Sequence, residues 1–200
     1  MVYDIVVSGL GPAGLSFLKS LGNCGLKIIA FDKFSFPRKK PCAGGLTPKA
    51  YTLLKNLFPN LDKVVKVASR KFILVNNLDR TEISTTSTLT YLTDREELDN
   101  FLLETVLKKS SFEFHFEEAV LSVEKEESFW KVITDKGVYR TRVLISADDV
   151  NSRIARTLRI KRDVGFTFES DVETSWDDSI LIDFTDFSWG YYWVFPKGNF

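Results

Sequence analysis

The segment that most constrains the fold is residues 2–14, "VYDIVVSGLGPAG". Its first seven residues are apolar and β-branched, the pattern of a strand buried in a parallel sheet. A glycine-rich turn follows, then "AGLSFLKSLGNCG", with Leu15, Leu18 and Leu21 near helical spacing and Gly22 or Gly25 as the stop signal. "LKIIAFD" reads as a second buried strand, so the opening of the chain predicts a β-α-β unit. Gly9, Gly11 and Gly14 form G-x-G-x-x-G in the strand-to-helix context that gives this pattern meaning. Glycine is needed there because the turn is tight and a pyrophosphate must approach backbone N–H groups at a helix N-terminus. Asp32, 18 residues after Gly14, ends the second strand, where a carboxylate can accept hydrogen bonds from a ribose diol. Together these features predict a dinucleotide site; the alternative is the same turn without a ligand.

Composition narrows the setting. The chain has 200 residues, 44% hydrophobic and 27% charged, which suits one soluble domain or a small pair. A net charge of zero gives no reason to expect nucleic acid. Cys24 and Cys42 make neither a disulfide framework nor a metal pattern and fit a reducing, cytoplasmic compartment. The chain opens directly on the first strand rather than on a leader-like pattern. No apolar run approaches the roughly 20 residues of a membrane helix. The charges are segregated: Lys33, Arg38, Lys39, Lys40, Lys49 and Lys55 fall in a stretch without acids, whereas residues 163–196 hold eight acids and no Lys or Arg. The basic block predicts either a solvated face or an anion site.

Further along, Thr47 and Pro48 read as the cap and first position of a helix, "TPKAYTLLKNLF". "RKFILVNN" and "RTEISTTSTLTYL" predict antiparallel strands. "TDREELDNFLLETVLKK" predicts a helix capped by Thr93 or Asp94, with Leu98, Phe101, Leu102 and Val106 as its apolar stripe. A meander is expected through "FEFHFEEAVLSVEKE", "FWKVIT", "GVYRT" and "RVLISA", then a short helix capped by Asn151 and a strand-like tail over 163–196. His115, the only histidine, is expected to be structural.

This order of elements resembles the flavoprotein class of aromatic hydroxylases. The resemblance implies that Arg95 reaches the flavin, and it aligns Ala147, Asp148 and Ser152 with the class's A-D-G-x-x-S motif. Asp149 stands where glycine is usual, and a positive φ there costs aspartate about 1 kcal/mol. Two further stretches narrow the family. "FPRKKPCAGGL" is similar to the K-P-C-G-G-G-L loop of the geranylgeranyl reductases, and "GYYWVFPKGN" looks like their Y-x-W-x-F-P-K strand.

The resemblance implies FAD as cofactor, with contacts at Gly14, Asp32, Cys42, Ala43, Gly45, Arg95 and Ala119, the last through its backbone beside the adenine. Gly9, Gly11 and Asp148 complete the cofactor-binding set. Ala43, Gly44 and Gly45 would let the main chain lie close to a flat ring, and Arg38 to Lys40 would neutralise a pyrophosphate or a lipid phosphate. Cys42, a thiol among cations, is the catalytic candidate, the alternative being an inert apolar thiol. Tyr191, Trp193 and Phe195 are expected to bind substrate or to be ordinary core. The expected fold class is α/β: a Rossmann-type FAD-binding βαβ domain (1–69 and 93–160) with an interleaved antiparallel β-sheet substrate domain (70–92 and 161–200), truncated.

The implied activity is reduction of carbon–carbon double bonds in geranylgeranyl or polyprenyl chains of membrane lipids. Its partners would be an isoprenoid lipid, an external electron donor (NAD(P)H or ferredoxin), and a membrane surface touched peripherally. The alternatives are a FAD-dependent monooxygenase or halogenase of the same fold, and an inactive FAD-binding remnant. The family's G-D-A motif would lie beyond Phe200, so the sequence reads as an N-terminal half or a shortened reading frame, with an apolar face expected to be left uncovered.

Overall fold

Strand Val2–Ser8 is buried at Tyr3 and at every position from Ile5 to Ser8, and Ile28–Phe31 is buried throughout. Neighbouring side chains buried in this way belong to strands covered on both faces, as in a parallel sheet. In the computed structural model, which describes residues 1–108, 111–161, 163–185 and 189–198, the two strands are hydrogen-bonded neighbours in parallel register.

In chain order the elements are β1 (Val2–Ser8), α1 (Pro12–Leu21), β2 (Ile28–Phe31), β3 (Gly45–Leu46), α2 (Pro48–Leu57), β4 (Val65–Ser69), β5 (Lys71–Asn76), β6 (Asp79–Ser84) and β7 (Thr90–Thr93). They continue with α3 (Arg95–Leu107), β8 (Glu113–His115), β9 (Val120–Lys125), β10 (Trp130–Thr134), β11 (Val138–Ser146), α4 (Arg153–Thr157), β12 (Ile180–Asp183) and β13 (Tyr192–Val194).

The chain forms two units, Met1–Arg38 with Asp99–Thr167, and Lys39–Leu98 with Phe168–Phe200. These contact-defined units divide the chain differently from the domain boundaries expected from sequence. Residues 45–69 join the second unit because β3 and β4 both pair with β7.

The first unit is a six-stranded sheet in the order β8-β2-β1-β11-β10-β9. Strands β8, β2, β1 and β11 run parallel, and β9–β10–β11 is an antiparallel meander. Its core packs Tyr3, Val6, Ile29, Phe31, Val120, Val123, Val132 and Ile154 together. The second unit holds a four-stranded sheet, β13-β12-β5-β6, and a three-stranded sheet, β3-β7-β4. Val67, Leu92 and Ile180 form its core, with Phe72, Ile182 and Phe195 packed against them. Among the described residues no helix is long and apolar enough to cross a membrane.

Four expectations are corrected. "FEFH" is not the first leg of the meander: β8 pairs in parallel with β2, and a turn with Glu117 at φ 55° separates it from β9. Ser152, not Asn151, caps α4, its hydroxyl accepting the Ala155 N–H at 2.9 Å. The described part of the tail forms strands only in β12 and β13. The buried stripe of α3 uses Leu103 alongside Leu98, Leu102 and Val106, with Phe101 only half-buried.

Candidate functional site

The three motif glycines have different reasons to be glycine. Gly9 has φ 97°, and a Cβ on it would lie 2.3 Å from the Ala147 carbonyl oxygen. A Cβ on Gly14 would lie 2.0 Å from the Gly9 carbonyl oxygen. Both are therefore demanded by packing. Gly11 is not: a Cβ there would meet only the Arg38 guanidinium, at an ordinary 3.7 Å. Gly11 is the N-cap of α1 and gives that helix no side-chain cap, and no acid sits in its first turn. By contrast Thr47 caps α2, and Asp94 accepts the Glu96 N–H at the start of α3. The α1 terminus is left open to an anion, with its partial positive charge uncompensated by a side chain.

Asp32 is buried beside this turn. Its Oδ2 accepts the Leu10 N–H at 2.8 Å and its Oδ1 the Phe34 N–H at 3.0 Å. Each carboxylate oxygen retains lone-pair capacity for a diol. Arg38 is ion-paired with the fully buried Asp99, 3.2 Å away. Asp99 is a residue that sequence reasoning missed. The signal was available: it stands three and four positions before Leu102 and Leu103, on the buried side of α3.

The backbone of Asp32 leads into a polar network that also went unforeseen. Asp32 N–H donates to the His115 carbonyl, and Glu118 N–H donates to the Asp32 carbonyl. The buried Glu118 carboxylate accepts from Thr134 at 2.6 Å and Tyr139 at 2.9 Å, and pairs with His115 Nδ1 at 2.7 Å. Glu113 accepts from Tyr3 and pairs with His115 Nε2. Burial and then the Glu118 contact push Tyr139 up to about 12. Burial lowers the His115 pKa, but its bonds to Glu118 and Glu113 outweigh that and raise it overall. For Glu118, burial opposes ionisation, while the bonds from Thr134, His115 and Tyr139 win and depress it.

The histidine contribution to stability is thus complete below its ordinary value of 6.5 and is lost as pH rises through its raised folded value. The Glu118 contribution is present above its ordinary 4.5 and is lost as pH falls through its depressed value. Thermal unfolding across pH is expected to show its maximum between those limits, and His115→Gln is expected to remove the alkaline decline. An unchanged alkaline limb in that variant would contradict the assignment.

Ala119 N–H and carbonyl both bond Asp135, so the second lone pair of its carbonyl and its methyl group are what it can offer a ligand. Asp148 accepts from Ser146 and from the Arg153 N–H, which ties β11 to α4. Asp149 occupies the left-handed region at φ 70°, where the motif normally has glycine.

The second unit brings two distant sequence motifs together. Gly44, at φ 73°, would place a Cβ 1.9 Å from the Thr93 carbonyl oxygen, and its own carbonyl accepts both the N–H and the hydroxyl of Thr93. A Cβ on Gly45 would lie 3.0 Å from the Phe195 ring. Packing on β7 requires glycine at 44, while at 45 a Cβ would make a tight contact that the Phe195 ring and the Thr90 methyl would have to relieve by a few tenths of an ångström. Cys42 Sγ accepts the Gly44 N–H at 3.5 Å. Arg95 opens α3, next to its Asp94 cap.

Tyr191, Trp193 and Phe195 form one row, with ring centroids 5.9 and 6.5 Å apart. Trp193 and Phe195, with Ala43, Trp176 and Lys197, line a cavity of about 550 Å³ within this unit. Its other wall is the acidic segment 169–178, with Lys197 Nζ 3.5 Å from Asp171 and 3.9 Å from Glu169. A volume of this size suits a small-molecule site.

No family model matches the chain. An uncharacterized protein of Methanosarcina barkeri is 34% identical over 205 residues, 99% of this chain and 52% of the relative. The geranylgeranyl diphosphate reductase of Rhodobacter capsulatus is 26% identical over 221 residues, 100% of this chain and 53% of the relative. Digeranylgeranylglycerophospholipid reductase 2 of Methanopyrus kandleri is 24% identical over 219 residues, again 100% and 53%. The chain is a distant homologue of the geranylgeranyl reductases along its whole length. It spans about half the length of these curated relatives.

Among solved structures, a geranylgeranyl bacteriochlorophyll reductase-like protein from Thermoplasma acidophilum matches with a TM-score of 0.76 at 20% identity, over 98% of this chain and 54% of that one. The myxobacterial chondrochloren halogenase, a FAD-dependent halogenase, matches at 0.71 and 15% identity, over 98% and 50%. These likenesses establish the fold, a mixed α/β architecture shared by reductases and FAD-dependent halogenases.

Proposed function

We propose that the chain is the cofactor-holding and substrate-contacting part of a FAD-dependent oxidoreductase that reduces carbon–carbon double bonds in polyprenyl chains. The observation that carries this reading is the meeting of "PCAGG" and "YYWVFPK" in the second unit: Gly45 packs on Phe195, and Ala43, Trp193 and Phe195 share one cavity. Homology to reductases of geranylgeranyl-bearing substrates supports the substrate class. In this reading residues 1–69 and 93–160 serve the cofactor, and 70–92 and 161–200 the substrate.

The first unit suits a dinucleotide. Gly11 leaves room above an α1 terminus without a side-chain cap, Arg38 stands beside it, and Asp32 retains lone pairs for a ribose. Gly9, Gly14, Ala119 and Asp148 belong to the same unit, and Cys42, Ala43, Gly45 and Arg95 are the flavin contacts that the family resemblance implies. Reduced FAD, when bound, supplies hydride to an alkene carbon. The chain's own task is to orient the alkene and exclude water. Trp193, Phe195 and Ala43 give the cavity an apolar wall for an isoprenoid segment. The neighbouring carbon must receive a proton, and Cys42 is the candidate, because accepting the Gly44 N–H leaves its own S–H free to donate. Electrons would come from NAD(P)H or a ferredoxin, in the cytoplasm or peripherally at a membrane.

The test is anaerobic turnover by the purified chain with FAD, dithionite and a geranylgeranyl lipid. The expected product gains two hydrogens per reduced bond by mass spectrometry. FAD binding without any mass gain would favour an inactive remnant. Oxygen-dependent hydroxylation or halogenation would favour the monooxygenase and halogenase reading, which the fold likeness to the chondrochloren halogenase keeps in play.

A further inference from the structure

We propose that Arg38, positioned by Asp99, reads the cofactor's pyrophosphate and makes this chain selective for dinucleotide flavin over phosphate-free flavin. The proposal rests on the FAD reading above and adds a residue pair to it. Arg38 Nη2 lies 3.2 Å from Asp99 Oδ2. Asp99 is wholly buried and the Arg38 side chain is 11% exposed. The guanidinium stands over the Phe36 ring, 4.9 Å from its centroid. Its Nη2 is 3.7 Å from where a Gly11 Cβ would be, so it faces the N-terminus of α1.

One donor is unmatched: Arg38 Nε is buried without a hydrogen-bond partner among the described residues. A buried N–H without an acceptor is costly and calls for one. Here it belongs to a planar fork suited to phosphate oxygens, beside a helix terminus that no side chain caps. An anion at that position would satisfy the guanidinium and the helix end together. Asp99, paired with Nη2, holds the guanidinium in place and leaves Nε for the anion.

The experiment is titration of the purified chain with FAD, ADP and riboflavin, followed by fluorescence and calorimetry. Arg38→Met alone removes the cation paired with the buried Asp99, so the double variant Arg38→Met/Asp99→Leu, which removes both charges, is measured as well. Both variants that fold, as judged by circular dichroism, are expected to bind FAD and ADP at least about tenfold more weakly, with riboflavin affinity unchanged. Arg38→Lys is expected to recover only part of the loss. FAD and ADP affinities equal to wild type in a folded variant overturn the proposal, as does an equal loss for riboflavin. If wild type binds neither FAD nor ADP, the FAD reading falls first and this one with it.

Discussion

Gly14→Ala is expected to destabilise the chain by about 3 kcal/mol or more, whereas Gly11→Ala is expected to fold normally and to bind FAD more weakly. The first substitution drives a methyl group to 2.0 Å from the Gly9 carbonyl oxygen, backbone against backbone, with no flexible side chain to yield. The second places a methyl group where the nearest atom is 3.7 Å away, at a residue with φ −77° that alanine readily adopts. Its stability cost is about 1 kcal/mol or less, that of a poorer N-cap. That methyl stands where a pyrophosphate would approach the α1 terminus, so FAD affinity is expected to fall at least about tenfold, or 1.4 kcal/mol. Urea unfolding and FAD titration of both variants check this. A folded Gly11→Ala variant with unchanged FAD affinity would mean that the open place beside Gly11 is not a ligand site.

Glu118→Ala is expected to cost about 2–3 kcal/mol. The carboxylate is 3% exposed and satisfies Thr134, Tyr139 and His115 at once. Removing it takes the carboxylate acceptor from the Tyr139 hydroxyl and from His115 Nδ1, while Thr134 keeps the Gly137 carbonyl and His115 Nε2 keeps Glu113. Glu118→Gln keeps one acceptor oxygen and should cost clearly less. Because Glu118 N–H and the His115 carbonyl both bond the Asp32 backbone, the alanine variant is also expected to loosen the segment carrying Asp32. Hydrogen exchange at Asp32 and Glu118 reads that directly. Full protection there in a destabilised Glu118→Ala variant would separate the network from the site.

What could be read in the sequence was local. β1, α1 and β2 were legible because burial on both faces, the glycine turn and the Gly22 stop all act within a few residues. Thr47 was legible as a cap for the same reason. The positive φ of Asp149 was anticipated because its motif normally places glycine there. β8 was not legible: three residues beside a long β-rich stretch carry no sign that their partner is β2, more than 80 positions earlier. Asn151 and Ser152 are both good caps, and tertiary contacts decide between them, with Ser146, Asp148 and Ser152 clustered at the start of α4. The tail looked strand-like by composition, yet Glu169 and Asp171 are spent on Lys197 and Asp177 on Ser179.

The candidate site shows the same division. The glycines of "PCAGG" drew attention as places for a flat ring to approach, but Gly44 is already required by Thr93, and Gly45 sits in close contact with Phe195. Glycine content therefore marks close packing as readily as ligand contact, and Gly11 is the motif glycine that packing leaves unexplained. The Arg38–Asp99 pair spans 61 positions, so only a folded chain could reveal it.

The central claim is that these residues hold FAD through its dinucleotide half. The direct measurement is a titration of FAD with the purified chain, read by quenching of flavin fluorescence, with riboflavin in parallel. A saturable, salt-sensitive change for FAD and a much weaker one for riboflavin is the predicted result. No saturable change with FAD, or equal affinity for riboflavin, would contradict it.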